Sequence, residues 1–332
     1  MCTAVTYQTK DHYFGRTLDY EYSYTETVTV TPRKFPFRFR NEHTVKEHYA
    51  MIGMAYVNRN FPLYYDATNE KGLSIAGLHF PQNAVYKQPE AGKKNVASFE
   101  LIPWILGQCA SVEEALPLLK QCNVTNLSFQ AELPAAPLHW LVSDRNKSLT
   151  VEPGKEGVKI YENPVGILTN NPPFAMQLFS LKNYINLTAE VPENRFSEKL
   201  DLTPYSRGMG AMGLPGDLSS SSRFVKAAFT KLHSVSGESE SESVSQFFHI
   251  LGSVEQQRGC VHLGGGKYEI TIYSSCCNTD KGIYYYRTYE NSQISAVAMH
   301  QEDLESAELI SYPLITGQQI RMQNEHGGSK ML

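Results

Sequence analysis

Polar and apolar positions alternate with a period of two over Thr3 to Tyr7, and again over Thr27 to Thr31, which Pro32 ends. That period puts successive side chains on opposite faces of a strand. Lys10-Asp11 reads as a turn and His12 to Leu18 as a returning strand, so residues 2–19 are predicted to form a hairpin. Met51 to Val57 and Leu73 to Leu78 are apolar enough for central strands, with a turn at Glu70-Lys71-Gly72 before the second. The period then lengthens. Phe99 to Gln108 and Val112 to Cys122 have helical spacing, and Ser111 with Glu114 three residues on makes a capping box.

Strands return at Leu138 to Val142 and Leu149 to Glu152, joined across Asp144-Arg145-Asn146. Phe174 to Tyr184 reads as a helix after Pro172-Pro173, and the Gly-rich stretch Tyr205 to Pro215 as a loop. Ser219 to Ser222 can cap a helix over Arg223 to Leu232. Gly237 to Ser243 reads as a solvated acidic loop and Ser245 to Leu251 as a short helix. Tyr268 to Ser274, Ile283 to Thr288 and Ile294 to Ala298 complete the strands. The order is strands, helices, strands, helices, strands, without βαβ alternation. That favours an α+β fold of stacked antiparallel sheets covered by helices. Residues 1–318 are expected to form one domain, and 319–332 a disordered tail.

Composition narrows the function classes. The chain has 332 residues and a net charge of −4, with no basic stripe for a nucleic acid. No window reaches the roughly 18 apolar residues of a membrane span, and the start lacks the basic and apolar regions of a secretory signal. A cytoplasmic protein without membrane insertion is expected. Its six cysteines are then free thiols, and its Asn-x-Ser/Thr sequons carry no glycan. The 20 tyrosines and 15 phenylalanines suit strands and an aromatic-lined pocket.

Familiar catalytic signatures are missing. Gly72-Leu-Ser-Ile-Ala lacks the second glycine of a nucleophile elbow, and Gly264-Gly265-Gly266 reads as a turn. His43, Glu47 and His48 fit neither zinc spacing, and no metal site is expected. Cys2 is more informative. Methionine aminopeptidase removes Met1 before a small residue, leaving a thiol and an α-amine on one residue. An α-amine ordinarily titrates near about 7.7–8.0. It can therefore take the thiol proton, directly or through water, and release a thiolate to attack a carbonyl. A hairpin starting at Cys2 returns Arg16 and Asp19 to its neighbourhood. By itself Gly-Arg-x-x-Asp reads as a surface ion pair. Beside Cys2, Arg16 becomes a permanent cation favouring thiolate, and Asp19 an acceptor that orients the amine.

Met-Cys-Thr-Ala at the start, Gly15-Arg16-x-Leu18-Asp19, Asn69-Glu70-Lys71-Gly72-Leu73, Ala76-Gly77-Leu78, Leu168-Thr169-Asn170-Asn171-Pro172 and Gly213-Leu-Pro-Gly-Asp217-x-Ser-Ser-x-x-Arg223-Phe224 together resemble the choloylglycine hydrolase family. Its main members are bile salt hydrolases and penicillin V acylases, and the likeness runs from residue 2 to about 315, nearest the bile salt hydrolases of gut lactic acid bacteria. The resemblance implies an N-terminal-nucleophile hydrolase fold, an αββα four-layer sandwich, usually as a homotetramer. It implies amide hydrolysis through an acyl-enzyme without metal or organic cofactor. Cys2 would be the nucleophile and its amine the base, flanked by Arg16 and Asp19. Asn170 would position the amine and the oxyanion, and Arg223 would support the site electrostatically. One departure stands out. His79 occupies the place where bile salt hydrolases carry Asn and penicillin V acylases tend to carry Tyr. Thr17 and Phe174-Ala175-Met176 are smaller departures.

A small amphipathic amide needs an apolar wall, for which Leu18, Tyr20, Tyr24, Tyr65 and Phe129 are candidates. Ser206-Arg207-Gly208 resembles the family's selectivity segment, so Arg207 is a candidate for favouring glycine over taurine conjugates. The competing readings are a penicillin V acylase or other N-acyl amidase, an inactive bile-acid-binding relative, and a redox role for Cys276-Cys277.

Overall fold

The structure, a computed structural model, describes residues 1–324. Most of the tail expected to be disordered over 319–332 therefore lies outside the described residues. In chain order the elements begin with β1 (Cys2–Gln8), β2 (His12–Tyr20), β3 (Thr27–Thr31), β4 (Met51–Asn58), β5 (Phe61–Asn69), β6 (Ser74–His79) and β7 (Lys94–Ala97). Next come α1 (Leu101–Leu106), α2 (Val112–Gln121), β8 (Cys122–Thr125), β9 (Leu138–Ser143), β10 (Ser148–Gly154), β11 (Gly157–Glu162), β12 (Ile167–Leu168) and α3 (Phe174–Ser180). The chain continues with α4 (Ser220–His233), α5 (Glu240–Gly252), β13 (His262–Gly264), β14 (Lys267–Tyr268), β15 (Ile270–Asn278), β16 (Ile283–Thr288), β17 (Asn291–Ala298) and β18 (Ile310–Pro313).

Two antiparallel sheets face each other. One runs β12-β1-β2-β15-β16-β17 and the other β11-β10-β9-β6-β5-β4-β3-β18. Helices α4 and α5 pack on the first sheet, α1 and α2 on the second. The layers are therefore α, β, β, α, as the sequence pattern and the resemblance imply. The apolar groups between the sheets and under α4 and α5 form one core, and those between the second sheet and α1 and α2 form another. β1 shows how alternation sorts the layers. Cys2 and Ala4 face the second sheet, while Thr3 and Tyr7 face α4.

The expected hairpin is present with Cys2 opposite Leu18 and Ala4 opposite Arg16. Gly15 lets β2 close on β15, because a Cβ there would fall 1.9 Å from the Ser275 carbonyl oxygen. Several expectations need correction. The acidic stretch 237–243 is not all loop. The Ser239 side chain caps α5, Glu242 closes a capping box, and the helix starts at Glu240. The charges that suggested a solvated loop are a helix's first turn, where acidic groups meet the positive end of its dipole. The helix expected over 99–108 is confined to Leu101–Leu106, and that over 174–184 turns 3-10 after Ser180. The last strand group starts later and runs longer, as Ile270–Asn278, so Cys276 and Cys277 are strand residues. Strand β5 carried no clear alternation signal, because it is buried on both faces over its second half.

His12 is buried between the sheets at the far end of the hairpin from Cys2, its ring facing Gln8 and Ser143. Burial pushes its pKa down to about 4. An unfolded histidine takes up its proton near about 6.5, so between 6.5 and 4 the unfolded chain binds a proton that the folded chain refuses. Stability should fall as pH drops through that window, by up to about 3 kcal/mol. Denaturant titrations across pH 4–7 check this. The slope should flatten in His12→Gln, and an unchanged slope would rule out His12 as its source.

Candidate active site

Cys2 is the first residue of β1, and strand pairing places it deep in the fold, 4 % exposed. Its backbone nitrogen donates to Oδ1 of Asn170 at 2.9 Å. Arg223, from the first turn of α4, donates to the same oxygen at 2.7 Å, and to the Cys2 carbonyl and the Thr3 hydroxyl at 2.6 Å each. The Asn170 amide nitrogen in turn donates to the His79 carbonyl at 2.7 Å. Asn170 thus links the Cys2 nitrogen to the end of β6 in the other sheet.

Arg16 reaches the same strand from the opposite face. Its guanidinium is 1 % exposed and donates to the carbonyls of Tyr65 at 3.0 Å, Gly77 at 2.5 Å and Thr17 at 3.2 Å. Those acceptors are available because β5 bulges. Asp66 faces Met54 and Tyr64 faces Ala55, which leaves Tyr65 as the extra residue, and pairing of β5 with β6 stops at Asp66 and Ala76. Asp66 is the nearby counter-charge. Its carboxylate accepts from the phenols of Tyr273 at 2.9 Å and Tyr284 at 2.7 Å. Burial raises its pKa, against the pull of Arg16 and those hydroxyls.

Asp19 lies on the helix side, 3.9 Å from Arg223. Thr271 donates to its Oδ1 at 2.7 Å and Thr17 to its Oδ2 at 3.2 Å. Burial raises its pKa, opposed by Arg223 and the chain's amine. A second bulge makes the Thr271 contact. Thr271 pairs with Asp19 and Tyr273 with Leu18, so Ile272 is extra and the two side chains emerge on opposite faces of the sheet. The Met1 amine donates to the Asp19 carbonyl at 2.7 Å and pairs with Glu269. Its pKa is lowered, first by burial and then by Arg223 and Arg16, against the opposite pull of Cys2 and Asp19. While Met1 is attached, the Cys2 nitrogen is an amide with no basic lone pair.

The sequence-derived group Cys2, Arg16, Asp19, Asn170 and Arg223 is thus brought together. His79 joins it through its backbone. Its ring is partly exposed, with no hydrogen-bond partner among the described residues, and its pKa is lowered first by desolvation of its sheltered side, then by the chain's amine and His139. Leu18 stands across the hairpin from Cys2. Tyr20 and Tyr24 stack at 5.8 Å in a cluster with Tyr22 and Tyr56, and the Tyr65 ring lies 6.5 Å from that of Tyr273. Phe129 packs elsewhere, on Phe61 and Phe99 under Arg40. Arg207 is exposed in its loop. Cys276 and Cys277 are buried, and burial pushes the Cys277 thiol up to about 12 and raises Cys276 as well. Among the described residues no group of three or more His, Cys, Asp or Glu side chains is arranged to hold a metal ion.

Residues 2–312 match the family described as linear amide C–N hydrolases, choloylglycine hydrolase family. The chain belongs to the choloylglycine hydrolase family. A bile salt hydrolase/transferase of Lactiplantibacillus plantarum is 60 % identical over 314 residues, 95 % of this chain and 97 % of the relative. A mutant conjugated bile acid hydrolase from Clostridium perfringens superposes with a TM-score of 0.90 at 36 % identity, over 98 % of this chain and all of that one. A penicillin V acylase from Agrobacterium tumefaciens shares the fold, with a TM-score of 0.73 at 20 % identity over 93 % of this chain and 90 % of that one. This member of the family is accordingly an enzyme of the linear-amide C–N hydrolase class with the N-terminal-nucleophile hydrolase fold.

Sequence reasoning missed Asp66, Thr271 and Glu269. A lone Asp in an otherwise uncharged strand was a signal for the first. The other two depend on a bulge and a crossing that leave no local trace. The geometry makes one strong demand on Arg223. Arg223→Met would remove one donor each from the Asn170 oxygen, the Cys2 carbonyl and the Thr3 hydroxyl and leave the buried Asp19 without its nearby cation, and should cost about 3–5 kcal/mol. Chemical denaturation measures this, and a loss under about 1 kcal/mol would show these groups finding other partners.

Proposed function

We propose that the mature enzyme begins at Cys2 and cleaves the amide bond of glycine- or taurine-conjugated bile salts through a thioester acyl-enzyme. The observation that carries this is the Cys2 nitrogen held on Asn170 Oδ1 between two buried guanidiniums. Released from Met1, that nitrogen becomes an amine in a cationic, desolvated setting. Such a setting disfavours its charged form and leaves it a free base near neutral pH. The amine takes the thiol proton, and the thiolate adds to the substrate carbonyl. Asn170 and His79 serve as donors toward the oxyanion, and Arg16 and Arg223 supply its positive field. The amine returns the proton to the leaving nitrogen as the C–N bond breaks, and water then hydrolyses the thioester. Asp19, fixed by Thr271 and Thr17, orients the amine.

The names of the relatives support the substrate class, and Leu18 opposite Cys2, with the aromatic side chains of Tyr20, Tyr24 and Tyr65, is assigned as the apolar surface for a steroid. Phe129, packed on Phe61 and Phe99, is left out of that surface, and Arg207, exposed in its loop, is assigned to favour glycine conjugates. His79 supports a second reading, a penicillin V acylase or other N-acyl amidase, because a histidine donor changes the oxyanion geometry. The proposal includes one catalytic domain over residues 1–318, a cytoplasmic location suited to six free thiols, and a homotetramer. The exposed apolar side chains Ile185, Phe196, Tyr205 and Met212 on one long connection offer a surface for assembly.

Amino-acid release from glycocholate, taurocholate and phenoxyacetyl-penicillin, with mass spectrometry of the N-terminus, tests these assignments. Wild type should lack Met1 and release glycine fastest, and Cys2→Ala should release nothing above background. In Arg207→Ala the glycine-to-taurine ratio of kcat/KM should fall. His79→Asn should lose any rise or fall in kcat below pH 6.5 that the lowered His79 pKa imposes. Cleavage of the penicillin alone would select the second reading, and a wild type inert toward all three despite a free Cys2 would refute the substrate class.

A further inference from the structure

We infer that His139 is a positioning residue for this reaction, holding the Asn170 segment and the His79 segment against each other. The inference rests on the acyl-transfer reading above and adds a residue to it. His139 lies on β9 opposite Leu78 of β6, and its ring is fully buried. Nε2 is 2.8 Å from the Thr169 carbonyl. A carbonyl oxygen can only accept, so the ring donates there. Nδ1 is 3.1 Å from Oε1 of Glu152, which also accepts from the Phe174 backbone nitrogen at the start of α3. The ring face stacks on Phe80, with centroids 4.1 Å apart and planes 6° from parallel. One side chain therefore contacts the residue before Asn170 and the residue after His79.

The two segments it touches are clasped above it. Asn170 donates to the His79 carbonyl, Asn171 to the Pro81 carbonyl at 2.9 Å, and Asn83 to Asn171 Oδ1 at 2.9 Å. Asn170 is also held from the helix side. Its backbone nitrogen donates to Ser220 Oγ at 2.8 Å, and its carbonyl accepts from Gln177 at 2.7 Å. Those ties fix Asn170 relative to α3 and α4, while the His139 bond adds a tie from the second sheet, where His79 resides. A leucine would fill the same volume but leave the buried Thr169 carbonyl and Glu152 without this partner, so the imidazole is called for by its two ring nitrogens and not by packing. What the imidazole adds is distance control between two oxyanion donors that come from different sheets. A misplacement of about 1 Å at such a site costs about 100-fold in rate.

The amide nitrogen of asparagine overlays Nδ1, and that of glutamine overlays Nε2. His139→Asn therefore keeps the Glu152 contact and loses Thr169, and His139→Gln does the reverse. Steady-state kinetics on the best wild-type substrate, beside denaturation midpoints, separate the cases. His139→Asn should lose about 10- to 100-fold in kcat with KM changed less than about threefold. His139→Gln, which restores the Thr169 bond without the ring stacking, should recover to within about three- to fivefold of the wild-type kcat at a similar denaturation midpoint. Equal losses in the two variants, a loss in KM alone, or an unchanged kcat would overturn the inference. Should His139→Asn not fold, Phe80→Leu takes its place, because it keeps the hydrogen bond and removes the stacking. A kcat down about threefold or more supports the inference, and an unchanged one overturns it. A wild type inert toward every amide would sink the acyl-transfer reading and this inference with it, whereas an active wild type with these variants unimpaired sinks this inference alone.

Discussion

Two guanidinium groups, each 1 % exposed, lie on opposite faces of the strand that begins at Cys2. Removing such a cation from water costs several kcal/mol unless its N–H groups meet acceptors and a counter-charge stands close. Much of the local architecture meets that demand. Arg16 takes carbonyls from β5 and β6 that a bulge has released from the ladder, with Asp66 as counter-charge. Arg223 takes the Cys2 carbonyl, the Thr3 hydroxyl and the Asn170 amide oxygen, with Asp19 nearby. The strand between them is held by these contacts as well as by its neighbours in the sheet, and Cys2 inherits that rigidity.

This arrangement explains how a residue at a chain end can be well placed. Termini usually fray because few contacts restrain them. Here the first strand is enclosed between β12 and β2, and its leading nitrogen is gripped by an asparagine that is itself gripped on each side. The site is therefore assembled from both sheets and from α4. No single element carries it.

Local patterns carried much of this outline. Alternation over Thr3 to Tyr7 and Thr27 to Thr31, the Lys10-Asp11 turn and the capping serines were readable because each depends on a few adjacent residues. Cys2, Arg16 and Asp19 were readable together because a hairpin brings them into one neighbourhood. Asn170 and Arg223 needed the family resemblance, since alone they read as a turn residue and an early helix cation. Asp66 showed only as a lone charge in its strand, and Thr271 and His139 could not be placed from the sequence. Their roles arise where two sheets meet or where a strand gains one residue, and neither event changes local periodicity enough to be seen. Glu240 and Glu242 were misread for a related reason, because acidic residues suit a solvated loop and a helix's first turn equally well.

The bulge in β15 has a consequence for how this enzyme can diverge. By turning Thr271 outward and Tyr273 inward, one extra residue lets a single strand serve two carboxylates on opposite faces of the sheet, Asp19 and Asp66. Deleting a residue between them would exchange the faces of everything beyond and leave one carboxylate without its hydroxyl. At position 271 a serine would keep the hydroxyl, whereas only a side chain as long as tyrosine carries the one at 273 to Asp66. Along this strand, then, the count of residues decides which carboxylate each hydroxyl meets, and composition acts only within the faces that count has set.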